Sequence, residues 1–169
     1  MHNARVKTIR ELLGRPRERR ATHAFIAEGL RLVEEAVKAD WPFQFVLAAN
    51  ELGERGKALV QILQQRSVIV ERASSEVLQA LSETETSQGI LAVLEQQALP
   101  LPERISFSLV LDQVRDPGNL GTLLRTASAA GVQAVLLPPG TTDAFSPKVV
   151  RAGMGAHFRL PIQVMEWKA

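Results

Sequence analysis

The hydrophobic and polar positions of this chain alternate between two kinds of pattern. Short, nearly continuous apolar runs are typical of strands in a covered sheet. Segments with apolar residues three and four positions apart are typical of helices with one buried side. The pattern predicts strands over residues 24–27, 43–48, 67–71, 89–95, 108–114, 132–137 and 159–164. It predicts helices over residues 3–14, 55–65, 74–81, 118–130 and 146–153, and another that opens at Glu28 and Gly29.

This alternation predicts an α/β fold in two domains. The first, residues 1–95, combines a basic N-terminal helix with a small α/β domain. Two prolines and the absence of periodicity predict a semi-rigid linker over residues 96–105. The second domain, residues 106–169, begins with a βαβ unit, which should be parallel and right-handed. With only three predicted strands, this second parallel-sheet domain is expected to be incomplete.

Composition narrows the class of protein. A hydrophobic fraction of 46% is enough for a real core and argues against a disordered chain. No apolar run is long enough for a bilayer or a signal peptide, so we expect a soluble cytoplasmic protein without membrane contact. The absence of cysteine excludes disulfides and thiolate metal sites, and the 3 histidines lack metal-ligand spacing, so no metal is expected.

Positive charge is concentrated at the N-terminus. The first 20 residues hold seven basic and two acidic side chains, so they carry a charge of +5 within a net +2. Such a segment is typical of proteins with a phosphate-rich partner such as RNA, although a solvated helix face would show the same pattern. The candidate RNA contacts in this segment are Arg10, Arg15, Arg17, Arg19 and Arg20.

A second feature is the strand, turn and helix over residues 109–131, which places polar side chains at the carboxyl end of a strand. Asp116 starts a turn, and Asn119 is interpreted as the helix N-cap. Gly118 and Gly121 would leave backbone N–H groups open to a phosphate or a ribose. Arg125 lies off the apolar stripe of the helix. For any one of these residues, a capped helix with an exposed arginine is the simpler interpretation.

Three segments together resemble the SpoU/TrmH family of RNA ribose methyltransferases, which belongs to the SPOUT class. Residues 112–131, with Asp116-Pro117, Asn119, Gly121 and Arg125, resemble the first motif of that family. Residues 146–162 are similar to the segment that follows it. Residues 25–36 resemble the start of its N-terminal substrate-binding domain, which is akin to ribosomal proteins that bind structured RNA.

The resemblance implies transfer of a methyl group from S-adenosylmethionine to a ribose 2′-hydroxyl, with ribosomal RNA favoured by the additional N-terminal domain. Arg125 would stabilise the developing alkoxide and hold a phosphate, because a guanidinium stays protonated and cannot act as a conventional base. Asn119 would orient Arg125 or the ribose. Lys148 and Arg151 share a helix face as RNA contacts or as solvated charges. The resemblance also implies a homodimer.

The chain departs from the family in two places. Gly153-Met154-Gly155 stands where many members carry a serine. Nothing after Val164 supplies the glycine-rich and Asn/Ser-rich motifs of the cofactor site and trefoil knot. We therefore expect an N-terminal portion that is inactive alone, with its cofactor site C-terminal to Ala169.

Two alternatives stay open on sequence grounds. One is a non-catalytic RNA-binding module that uses the N-terminal domain alone. The other is an unrelated doubly wound nucleotide-binding protein, which the absence of a phosphate-loop or dinucleotide glycine pattern disfavours.

Overall fold

The structure is a computed structural model that describes residues 4–167. It divides into two units, Met1–Gln96 (unit one) and Gln97–Ala169 (unit two), and the boundary falls within the predicted linker. No helix in the described range is long and apolar enough to cross a membrane.

A four-stranded mixed sheet forms the centre of unit one. Its strands are β1 (Ala24–Glu28), β2 (Phe43–Ala49), β3 (Val70–Ala73) and β4 (Ile90–Glu95). The strand order is β1-β4-β2-β3; β4 is antiparallel to both of its neighbours, and β2 and β3 are parallel. All residues of β4 except Glu95 are buried, as expected for a strand covered on both faces.

Five helices surround this sheet in two groups. They are α1 (Ala4–Gly14), α2 (Pro16–Thr22), α3 (Leu30–Lys38), α4 (Glu54–Gln65) and α5 (Ser75–Leu81). Helix α1 packs on α2 and α5, whereas α3 packs on α4. Ile9 and Leu12 of α1 and Leu78 and Leu81 of α5 lie in one core cluster with Leu47 of β2.

Unit one differs from the predicted elements at three places. Pro16 does not merely end α1; it is the first residue of α2, where its missing N–H has no helical partner to lose. Glu28 ends β1 instead of opening a helix, because Gly29 has a φ of 96° and redirects the chain. Strand β3 starts at Val70, later than predicted, because α4 is followed by a turn in which Ser67 has a φ of 60°.

Unit two is a three-stranded parallel sheet with two long connections. Its elements are β5 (Ser108–Val110), α6 (Pro117–Ala129), β6 (Ala134–Leu137), α7 (Pro147–Gly153), a 3-10 turn (Ala156–Phe158) and β7 (Ile162–Val164). The strand order β5-β6-β7 puts β6 in the middle. Both predicted edge strands are too long. Gln113, at φ 52°, lies in the irregular connection after β5, and residues 159–161, which follow the 3-10 turn, are not part of β7.

Helices α6 and α7 pack against each other without a side chain between them at Gly121. A Cβ atom on Gly121 would lie 2.5 Å from the Cβ of Ala152 and 2.6 Å from the carbonyl oxygen of Val149. The prediction that Gly121 leaves the backbone open to a ligand is therefore wrong. This glycine is buried by α7, and it allows the two helices to approach closely.

Candidate functional site

The first turn of α6 is capped by Asp116, whose Oδ1 accepts a hydrogen bond from the backbone N–H of Asn119 at 2.7 Å. Asp116 has an extended backbone and Pro117 follows as the first helical residue, which is the usual arrangement at a helix start. The prediction that Asn119 is the cap is therefore wrong. Asn119 lies inside the first turn, and its side chain is exposed.

Asn119 and Arg125 are both exposed on α6, but they do not share a face. Six residues of helix separate them by about 120° around the axis and about 9 Å along it. No hydrogen bond joins their side chains among residues 4–167, so the structure gives no direct contact through which Asn119 could orient Arg125. Orientation of a ribose by Asn119 stays a prediction.

An open groove lies beside the start of α6. Asn119 lines it and Arg125 does not. The side chains of Gln113 and Arg115 are hydrogen-bonded to each other, Asp116 caps the helix, and the Thr122 hydroxyl donates to the carbonyl of Gly118. The other lining residues are Val114, Asn119 and Leu123.

This groove does not by itself fit S-adenosylmethionine. The adenine and the charged amino-acid end of that molecule need several polar partners, and those of the groove are largely hydrogen-bonded within the protein. The amide of Asn119 has no such partner in the described chain, which suits a smaller group such as a ribose hydroxyl. The predicted cofactor site C-terminal to Ala169 therefore remains a prediction.

Lys148 of α7 reaches the first turn of α6. Its Cε atom lies 3.9 Å from the position that a Cβ on Gly118 would occupy, and the residue is exposed. The structure thus brings Lys148 close to the end of α6 that carries Asn119. Arg151, one turn later on α7, is only partly exposed. Of the two predicted RNA contacts on α7, Lys148 is the more accessible.

His157 was missed by sequence reasoning as a structural residue. Its ring is buried and its Nε2–H donates to the carbonyl of Ala144 at 2.7 Å. Burial lowers its pKa to about 4, despite the opposing effects of the Ala144 carbonyl and the Asp143 carboxylate. The ring also packs on Phe145, with centroids 5.5 Å apart. A neutral histidine therefore holds the segment before α7 in place, and no local sequence pattern predicts this contact.

The five predicted arginine contacts of unit one fall into two classes. Arg10, Arg15, Arg17 and Arg20 are exposed. Arg19 is only 2% exposed, and its guanidinium donates to the carbonyls of Leu12 at 2.5 Å and Leu13 at 3.2 Å. The prediction that Arg19 contacts RNA is therefore wrong. It binds carbonyls near the end of α1, which lack partners within that helix.

Arg10 and Arg15 also line a groove that the sequence did not reveal. They lie there with Lys7 of α1 and with Arg72 of β3, whereas Arg17 and Arg20 are not among the lining residues. Arg72 was missed because it is a single charged residue on a short strand, and only the packing of α1 beside that strand gives it basic neighbours.

Two family models match the chain in succession. An MRM3-like substrate binding domain matches residues 3–92, and the SpoU rRNA Methylase family matches residues 106–169. The chain belongs to the SpoU methylase family. The resemblance inferred from the three sequence segments is thereby confirmed.

Curated relatives agree with this assignment. The chain is 36% identical over 162 residues to the 23S rRNA (guanosine(2553)-2′-O)-methyltransferase RlmP of Bacillus subtilis, covering 95% of this chain and 61% of that protein. It is also 36% identical over 153 residues to the mitochondrial rRNA methyltransferase 3 of Homo sapiens, covering 85% of this chain and 36% of that protein. The SpoU-family chain thus spans less than two thirds of either relative.

Solved structures confirm the fold class. An rRNA methyltransferase from Sinorhizobium meliloti superimposes with a TM-score of 0.84 at 33% identity, covering 98% of this chain and 63% of that one. The same TM-score and identity hold for its AdoMet-bound form. The SpoU methyltransferase AviRb from Streptomyces viridochromogenes, in complex with AdoMet, gives 0.82 at 26% identity, covering 96% and 62%. The predicted α/β fold with a SPOUT-like parallel sheet is confirmed.

Proposed function

We propose that this SpoU-family chain takes part in S-adenosylmethionine-dependent 2′-O-methylation of ribose in ribosomal RNA. One observation carries the proposal: in the region that matches the SpoU methylase model, Asn119 is exposed in the first turn of α6, Lys148 reaches Gly118 in the same turn, and Arg125 is exposed on the same helix. The names of the curated relatives and the AdoMet-bound structures support the reaction and the methyl donor.

The residues of unit two suit the RNA side of this reaction. A ribose 2′-hydroxyl is a poor nucleophile until it loses its proton, and negative charge develops on its oxygen as it reacts. Arg125 stabilises that charge and holds the neighbouring phosphate, since its guanidinium presents several N–H donors and stays protonated. Asn119 forms a hydrogen bond with a hydroxyl group of the ribose, and Lys148 contacts an adjacent phosphate.

We also propose that the active protein is a homodimer. Family resemblance is the ground for this proposal, because SPOUT active sites form between subunits. The outer side of α6 is suited to such a contact, since Leu123 is 37% exposed beside Asn119 and Thr122.

The test is a chromosomal Arg125→Ala substitution with mapping of ribose methylation in ribosomal RNA. Cells that lack the gene identify the affected nucleotide, and Arg125→Ala should abolish methylation there. The expected loss is at least about 100-fold, as for removal of one group that stabilises a developing oxyanion. Hydrogen exchange across α6 should be unchanged, because Arg125 is exposed.

Arg104→Ala is the matched control, since Arg104 is another exposed arginine of unit two outside the helices. It should leave methylation intact. Wild-type methylation with Arg125→Ala would refute the assigned role of Arg125, and unchanged ribosomal RNA in cells without the gene would refute the proposed function.

A further inference from the structure

A groove of about 670 Å³ in unit one combines a basic rim with an apolar floor. Its wall on one side is α1, and the other side is formed by α5 and the end of β3. Lys7, Arg10, Arg15 and Arg72 provide four cations around it. The volume lies in the usual range for sites that enclose one small molecular group. The groove is thus a concave feature of binding-site size on the basic side of the unit.

The charge of this groove is positive and partly uncompensated. Two carboxylates, Glu11 and Glu76, oppose the four cations, and the pair between Lys7 and Glu11 is long at 4.0 Å. Among residues 4–167, neither Arg10 nor Arg15 forms an ion pair, and both are exposed. Free guanidinium groups at such a rim suit phosphate groups, to which they donate in pairs.

The floor of the groove is apolar. Val6, Val77 and Ala80 contribute to it, together with the buried Leu47 of β2. The charged phosphate backbone of RNA does not pack on apolar side chains. The flat face of an unstacked base does pack on them, because this contact removes the base from water.

We propose that this groove binds a single-stranded stretch of RNA, with its phosphates on Lys7, Arg10, Arg15 and Arg72 and one unstacked base on the floor. The proposal rests on the proposed function, which supplies RNA as the substrate, and it specifies where and in which form the RNA is bound. A duplex presents its phosphates on a convex surface and keeps its bases stacked, so it cannot use a concave apolar floor.

Arg72 also forms a hydrogen bond that fixes its position at the groove. Its Nη1 donates to the carbonyl of Ala49 at 2.8 Å, which holds the guanidinium beside the ends of β2 and β3. A cation held in place loses less side-chain freedom when it binds a phosphate. Arg10 and Arg15 lack such an anchor in the described chain, so they can be replaced without a predictable structural cost.

The test measures binding of the full chain to a fluorescein-labelled single-stranded RNA, and to the same RNA annealed to its complement, by fluorescence anisotropy. The double variant R10Q/R15Q should weaken single-strand binding by on the order of tenfold. The slope of log K against log salt should become less steep by about 1.4, for two lost contacts at about 0.7 each on a single strand.

Two further variants separate the groove from general charge. R31Q/K57Q removes two exposed cations of α3 and α4 and should leave affinity nearly unchanged. A80L keeps every charge but fills the floor, and it should weaken binding to the single strand by several-fold while leaving duplex binding unaltered. Circular dichroism of each variant checks that the fold is kept.

Three results would overturn the proposal. The first is equal or tighter binding of the duplex by the wild-type chain. The second is unchanged single-strand binding by R10Q/R15Q together with a loss in R17Q/R20Q, which would put the RNA on α2 and leave the proposed function standing. The third is no RNA binding at all, which would remove both this proposal and the RNA substrate on which it rests.

Discussion

The two units of this chain hold their candidate residues in different ways. In unit one, Arg10 lies on the exposed side of α1, whose opposite side fills the core, and Arg15 lies on the surface between α1 and α2. In unit two, Asn119 is exposed in the first turn of α6, and Lys148 of α7 reaches Gly118 in that turn. The position of Lys148 depends on a helix contact that has no room for a methyl group at Gly121. The basic groove should therefore tolerate substitution, whereas the position of Lys148 beside α6 should be sensitive to changes in packing nearby.

The largest effect is expected for Gly121→Ala. The added Cβ would meet Ala152 Cβ at 2.5 Å and the Val149 carbonyl at 2.6 Å, so α6 and α7 must separate. We expect unit two to lose about 3 kcal/mol, as for other insertions into a packed contact. Hydrogen exchange followed by mass spectrometry should show faster exchange in α6 and α7 and unchanged exchange in β4.

Gly14→Ala is the matched control for this prediction, because a Cβ there meets nothing within 4 Å. Its effect should stay within about 0.5 kcal/mol. If Gly121→Ala behaved like this control, the close helix contact would not be what holds Lys148 beside the first turn of α6.

A smaller effect on stability is expected for Arg19→Ala. Unlike the exposed arginines of the groove, Arg19 should not tolerate substitution. Removal of the guanidinium takes away a buried hydrogen bond to the carbonyl of Leu12 and a partly buried one to the carbonyl of Leu13. The expected loss of stability is about 2 to 3 kcal/mol, as for buried hydrogen bonds from a charged donor. Urea unfolding with exchange readout on α1 and α2 measures it.

Arg20→Ala offers the comparison, since Arg20 is the next residue and is exposed. It should change stability little and RNA affinity through charge alone. Equal destabilisation by the two substitutions would contradict the structural role of Arg19.

The stability of unit two should depend on pH because of His157. Burial lowers the pKa of this histidine from 6.5 to about 4, so between these pH values the unfolded chain binds more protons than the folded one. Stability contributed by the neutral ring is complete above pH 6.5 and is lost as the pH falls toward 4. Unit two should be about 2 kcal/mol less stable at pH 5 than at pH 8.

An NMR titration checks this without a substitution: the His157 ring should stay neutral down to pH 5. A titration midpoint of His157 near 6.5 would show that the ring is open to water and does not hold the segment before α7.

Elements with strong local signals were predicted well. Ser74 caps α5 as expected, with its Oγ accepting from the N–H of Val77 at 3.3 Å, and Pro147 begins α7. Helix starts of this kind depend on neighbouring residues, so the sequence contains the necessary information. The C-terminal end of β5 and the start of β7 were predicted poorly. Pairing with β6, rather than apolar character, decides where these short strands begin and end.

The candidate site was predicted only in part. Asn119, Arg125 and Lys148 were proposed from the sequence and stay predictions, and the structure adds that Lys148 reaches the first turn of α6. The roles of Gly121 and Asp116 were misassigned or missed, because a glycine that permits a helix contact and one that permits ligand approach look the same in a sequence.

The sequence by itself determined the two-unit α/β organisation, the family and the residues that carry charge. The organisation follows from periodicity and turn residues, which act over a few neighbouring positions, and the family follows from the resemblance of three segments to known motifs. Only the tertiary structure decided that Arg19 is buried while Arg20 is exposed, and that Arg72 joins Arg10 and Arg15 around one groove. The physical reason is that burial, and the hydrogen bonds that make it tolerable, depend on partners distant in the chain.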